Sequence, residues 1–224
     1  MKPDNHIFIP KKKIGVLMVN LGTPENTNYT SMWLYLREFL SDKRIIELTR
    51  LIWFPILYFI ILTFRPRKSG KLYEKIWDKK RNKSPLKVFT ESVAKKLQSK
   101  YDKNKVEIKN AMNYGNPKIK DELEEMMKKG CEKILIFPMY PQYSATTTAS
   151  VVDKVFEYLK KTRWQPAIRI VPPYFDDPLY INALKFNLEE NIKKQKIKDK
   201  DIVCSFHGIP KKYFLRGDPY HCHC

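Results

Sequence analysis

The chain has 224 residues, 43% of them hydrophobic and 30% charged, the balance of a soluble globular protein, and neither a repeat period nor a low-complexity tract interrupts it. Its formal charge of +19 favours acidic partners such as nucleic acid, anionic lipid or a polycarboxylate ligand, although a lysine-rich solvated surface gives the same number. No zinc-finger, RNA-recognition or basic-zipper pattern supports the nucleic-acid option, and none is expected as a partner.

Strand and helix patterns alternate along the chain. Ile14 to Val19 is an apolar run that predicts a first strand, and Asn20 to Pro24 a turn. Ser31 to Leu40 has helical character. Ser84-Pro85 opens a helix, with Val88, Phe89, Val93, Ala94 and Leu97 at helical spacing. Val106 to Met112 reads as a strand, Pro117 to Lys129 as a helix capped by Gly130, and Ile134 to Phe137 as a third strand. A helix from about Thr147 to Lys161, a strand at Ala167 to Val171, a break at Pro172-Pro173 and a helix from about Pro178 to Lys194 follow. Asp201 to Phe206 is read as a last, buried strand, ended by His207-Gly208-Ile209-Pro210. Alternating strands and helices imply an α/β fold with a mainly parallel sheet.

The four cysteines, Cys131, Cys204, Cys222 and Cys224, show no disulfide framework. His6 to Pro10 is too short, and too broken by proline, to be a secretory core, so a reducing cytoplasm is expected.

Three segments could carry chemistry. Leu51 to Phe64 contains no charged residue and is flanked by Arg44 and Arg50 before it and by Arg65, Arg67 and Lys68 after it. It is shorter than a membrane span. A monotopic dip into a bilayer, the lip of a pocket for a flat apolar ligand, and an ordinary core helix all fit it. Met139 to Ser150 joins the third strand to the next helix. Its hydroxyls can cap that helix, and its free N–H groups can hold an anion. His207 stands at the carboxyl end of its strand, where open α/β sheets place ligands. An imidazole there can accept a proton, bind a metal or serve as a structural hydrogen-bonder. The tail His221-Cys222-His223-Cys224 cannot converge on one ion, because zinc ligands need intervening residues.

Taken in order, several of these segments resemble the ferrochelatases. They are Ile14 to Pro24, Lys83-Ser84-Pro85-Leu86, Tyr140-Pro141-Gln142-Tyr143-Ser144, Ser205 to Pro210 and Arg216-Gly217-Asp218-Pro219-Tyr220. The resemblance implies two Rossmann-like lobes with parallel sheets and a cleft between them, the second lobe incomplete. Residues 13–172 would form the first lobe, with an apolar lip at 51–64. Residues 173–224 would begin the second lobe and carry the active-site histidine. It implies insertion of ferrous iron into protoporphyrin IX, with His207 as catalytic residue and metal ligand. Leu21 would line the ring face, Arg65 would meet the propionates, and Ser84 and Tyr140 would line the pocket. Porphyrin and ferrous iron would be the substrates, with no resident cofactor. Ala145 stands where some members have a cluster-ligating cysteine, which argues against an iron–sulfur cluster. The resemblance also implies peripheral membrane contact through Leu51 to Phe64 on the cytoplasmic side. The family's acidic partner to the histidine belongs to a later motif that these residues do not include. A porphyrin-binding remnant without catalysis is therefore the alternative reading.

Overall fold

The computed structural model describes residues 12–195 and 202–224. The His6 to Pro10 stretch and Asp201 lie outside them. The described chain divides into two units. One runs to Met139 and includes Thr146–Val171; the other joins Tyr140–Ala145 to Pro172–Cys224.

The first unit is built on a four-stranded sheet, β1 (Lys13–Thr23), β2 (Val106–Gly115), β3 (Cys131–Pro138) and β4 (Ala167–Ile170), in the order β2-β1-β3-β4. Every pairing is parallel, which requires a crossover between consecutive strands. The helices supply them: α1 (Tyr29–Leu40), α2 (Arg50–Pro55), α3 (Leu62–Ile76), α4 (Pro85–Gln98), α5 (Ile119–Lys128) and α6 (Ser150–Leu159).

Each helix reflects its sequence spacing. In α5 the buried positions are Ile119, Leu123 and Met126, and in α6 they include Val151, Val155 and Leu159, the three-to-four-residue recurrence that aims one face at the sheet. Asn28 caps α1 by accepting from the Ser31 amide at 2.9 Å. Gly130, at φ 89°, ends the run after α5, in the left-handed conformation that glycine adopts without steric penalty. Leu17 and Val19 of β1 are wholly buried, each worth about 1.5–3 kcal/mol relative to an exposed side chain.

Two expectations need correction here. The turn expected at Asn20 to Pro24 is strand as far as Thr23. β1 lies between two neighbours, and its pairing with β2 continues through Gly22↔Tyr114 and Thr23↔Gly115. The expected strand over 201–206 is absent from residues 202–206, all of which are exposed. The second unit contains α7 (Pro178–Gln195), α8 (Lys211–Leu215) and α9 (Tyr220–His223). Among its described residues there is no strand to complete a ladder, and a lone extended segment has no sheet to join.

Leu51 to Phe64 resolves into continuous helix. α2 passes into a π-helical stretch (Ile56–Ile61) and then into α3. Trp53, Leu57 and Leu62 point into a core with Met32, Tyr35, Leu36, Leu40 and Tyr114. Leu51, Phe59 and Phe64 are 86%, 78% and 71% exposed. The run is therefore apolar on both faces, and only one of them is used internally.

At the amino-terminal edge of the sheet, buried Glu107 meets Lys13 at 2.9 Å and Lys129 at 2.8 Å. Glu125 meets Lys129 at 2.6 Å and Lys109 at 2.9 Å. Hydrogen bonds from Lys109 and Lys129 hold the Glu125 carboxyl well below its ordinary 4.5, at about 2. Between those values the unfolded chain binds the proton and the folded one does not, so folding loses this support as pH falls from about 4.5 to 2. Glu125→Gln is expected to lower Tm at pH 7 by a small amount, since the side chain is 43% exposed. The gap from the parent should close as pH approaches 2, as thermal unfolding followed across that range would show.

Candidate active site

In an open parallel sheet, ligands bind beyond the carboxyl ends of the strands, where the strand order reverses. Here β2 lies on one side of β1 and β3 on the other, so the reversal falls between β1 and β3. Leu21 to Thr23 close β1 there. Met139 follows β3 and donates its amide to the Val19 carbonyl at 2.8 Å, and Tyr140 is the next residue.

Leu21 is half-buried against the core shared by α1, α2 and the π-helical stretch. The loop that follows is tied to the start of α4. Asn20 Nδ2 donates to Thr90 Oγ1 at 3.0 Å, and Lys87 Nζ donates to both oxygens of Glu25 at 3.0 Å. The structure thus brings the elements that carry Leu21 and Ser84 together. Ser84 is buried, and its Oγ accepts from the Lys87 amide at 3.2 Å as the N-cap of α4. That helix-capping duty uses one of its acceptor sites and leaves its O–H to donate. Arg65 is an exposed residue of α3, in the turn after the apolar run.

Tyr140 and His207 belong to the second unit. The Tyr140 hydroxyl is buried without a hydrogen-bond partner, and burial pushes its pKa up, which keeps it a neutral donor. The His207 side chain is exposed, with Nδ1 2.6 Å from the Gly208 carbonyl. When Nδ1 carries the proton and donates to that carbonyl, Nε2 keeps a lone pair open to solvent. No group of three or more His, Cys, Asp and Glu side chains converges among the described residues.

One cavity in the first unit holds none of the five expected residues. It has a volume of about 770 Å³ and is lined by α1, the end of β2 and α6. Its floor is a polar network that local sequence patterns did not announce. Asp42 accepts from the Tyr114 hydroxyl at 2.6 Å and from Ser150 Oγ at 2.5 Å, and Asn113 donates to Ser150 at 2.9 Å. Lys154 bonds to the Asn113 carbonyl and lies 4.0 Å above the Tyr114 ring. Burial lowers its pKa against the opposing pull of Glu38. The partners are 36 to 108 residues apart in sequence. The only local signal was polar residues at the end of a strand.

A family model described as Ferrochelatase matches residues 13–224. The ferrochelatase of Allorhizobium ampelinum is 52% identical over 223 residues, covering 99% of this chain and 65% of that protein. Those of Agrobacterium fabrum and Rhizobium meliloti are 51% and 53% identical, with 99% and 98% of this chain and again 65% of each relative covered. The chain spans just under two thirds of the length of these curated relatives. A match running from the first strand to the last residue, at about half identity, shows that the chain belongs to the ferrochelatase family.

Proposed function

We propose that this chain carries the porphyrin-binding face and the active-site histidine of a ferrochelatase, which inserts ferrous iron into protoporphyrin to form haem. The observation that carries the proposal is the family match across residues 13–224, which takes in the exposed His207. Insertion replaces two pyrrole N–H protons with one Fe(II). The reaction therefore needs a base near the ring and a metal ligand, and a neutral imidazole can serve as either. A protein that holds the ring bent towards the metallated geometry lowers the barrier by favouring the transition state over the flat ground state. Leu21 supplies apolar contact and Tyr140 a neutral donor. Arg65 offers a guanidinium fork suited to a propionate carboxylate. Iron is a substrate, and no resident cofactor is needed.

The assignment of residues 13–172 and 173–224 to two lobes belongs to the same proposal. A histidine alone is a poor Fe(II) site next to histidine plus carboxylate. The decisive assay is anaerobic haem formation by this chain joined to the remaining third of the Agrobacterium fabrum protein. Haem should form. Porphyrin binding without insertion would favour the non-catalytic reading, and neither activity would overturn the proposal. Arg65→Ala should weaken binding of the dicarboxylate porphyrin about tenfold, the cost of one charge-assisted pair. It should leave binding of the porphyrin diester unchanged.

The outer face of the helical run supports a peripheral membrane site on the cytoplasmic side. Leu51, Ile52, Phe59, Ile60 and Phe64 are exposed, and Arg65, Arg67 and Lys68 follow in sequence to meet anionic headgroups. No helix among the described residues is long and apolar enough to cross a membrane. Triple replacement of Leu51, Phe59 and Phe64 by Glu should release the protein from anionic vesicles in a co-sedimentation assay. Undiminished binding would remove this surface from the proposal.

A further inference from the structure

Within the second unit, one turn touches both segments of interest. Asp218 is buried. Its Oδ2 accepts from Ser144 Oγ and from the Ala145 amide, each at 2.8 Å, and its Oδ1 accepts from the Tyr220 amide at 3.1 Å. Gly217 precedes it at φ 94° with open space around it, so that glycine serves the turn's conformation and no close approach. The Tyr220 hydroxyl in turn meets the His207 backbone and the Cys224 thiol. Two further bonds fasten the same 140–145 segment. The Tyr143 amide donates to His223 Nδ1 at 3.2 Å, and the Tyr174 amide to the Pro141 carbonyl at 2.9 Å.

We propose that Asp218 is a positioning residue that locks the Tyr140–Ala145 segment and, through the Tyr220 hydroxyl, the His207 backbone into one geometry. The carboxylate bonds both the segment after Tyr140 and the amide of Tyr220, whose side chain reaches His207. Two acceptor oxygens receive three donors. Asparagine has one acceptor oxygen and an NH₂ donor. Asp218→Asn therefore sets an N–H against an N–H at either Ala145 or Tyr220. The functional meaning rests on the ferrochelatase reading: Tyr140 and His207 must be held in register to act on one ring.

The test uses amide hydrogen exchange on the unliganded 224-residue chain, together with protoporphyrin titration. Asp218→Asn should speed exchange at both Ala145 and His207 by at least tenfold, with far-ultraviolet circular dichroism unchanged. Tyr220→Phe should speed His207 alone, and Ser144→Ala should leave His207 at the parent rate. A purely local structural role for Asp218 predicts faster exchange at Ala145 with His207 unmoved, and that result would overturn the proposal. If Asp218→Asn unfolds, Tyr220→Phe decides, because an unchanged His207 amide in that variant breaks the link. Coupled exchange in a parent chain that binds no porphyrin would sink the ferrochelatase reading and leave the lock standing.

Discussion

In this chain joined to the remaining third of the Agrobacterium fabrum protein, replacing His207 with alanine is expected to reduce haem formation by about 10²–10⁴-fold, the usual contribution of a positioned acid–base group, while the porphyrin dissociation constant stays within about threefold. The structure makes this a clean experiment. The imidazole is exposed, and its recorded hydrogen bond is to the carbonyl of the next residue. Its removal opens no core cavity, so stability should change by no more than about 0.5 kcal/mol. A lost rate with an unshifted unfolding curve would assign the loss to chemistry. Insertion at the parent rate would show that the proton acceptor and iron ligand lie elsewhere.

Gly22→Ala is expected to cost the most stability of any single methyl group added to the chain end at β1. Gly22 sits at φ 105°, and a Cβ built there would stand 1.8 Å from the Tyr114 carbonyl oxygen. That oxygen belongs to β2, paired through Gly22↔Tyr114, so neither strand can retreat without breaking the ladder. Left-handed strain alone costs about 1–3 kcal/mol. The backbone clash adds to it, against a typical total stability of 5–15 kcal/mol. Gly217→Ala is the control, because its φ is 94° but nothing lies within 4 Å of the added carbon. It should lose only the conformational share. Urea unfolding should show the Gly22 variant with a far lower midpoint than the Gly217 variant, or no folded protein at all. Equal midpoints would mean that the β1–β2 contact is looser than described.

What the sequence disclosed follows from how local each signal is. β1, β3, α4 and α5 were legible because their apolar positions recur at the period of the element and their caps, Ser84 and Gly130, are residue types with one main use. The exit of β1 was misread because Asn-Leu-Gly-Thr-Pro has turn composition. Pairing with β2, which runs on to Thr23↔Gly115 after the β3 ladder has stopped at Val19, overrode that composition. Ile202 to Phe206 is a strand by propensity and not in the structure, since strand character is realised only against a partner. The Asp42–Tyr114–Ser150 network was hidden because its members converge from α6, the end of β2 and the residues after α1. Asp218 was visible as part of a motif, but its bonds to Ser144 and Ala145 span 74 and 73 residues. The five expected site residues differ in the same way, with Arg65 set on the helix that follows the apolar run. Leu21 and Ser84 are placed by local strand and helix ends, whereas Tyr140 and His207 lie on stretches of the second unit outside helix and strand, which no sequence period marks.

The most direct test of the central claim is a titration of the 224-residue chain with protoporphyrin, read as the shift of the Soret band. Saturable one-to-one binding is expected, weakened by Arg65→Ala and left nearly intact by His207→Ala. Absence of a saturable shift, or a shift that generic DNA abolishes and Arg65→Ala does not touch, would contradict it.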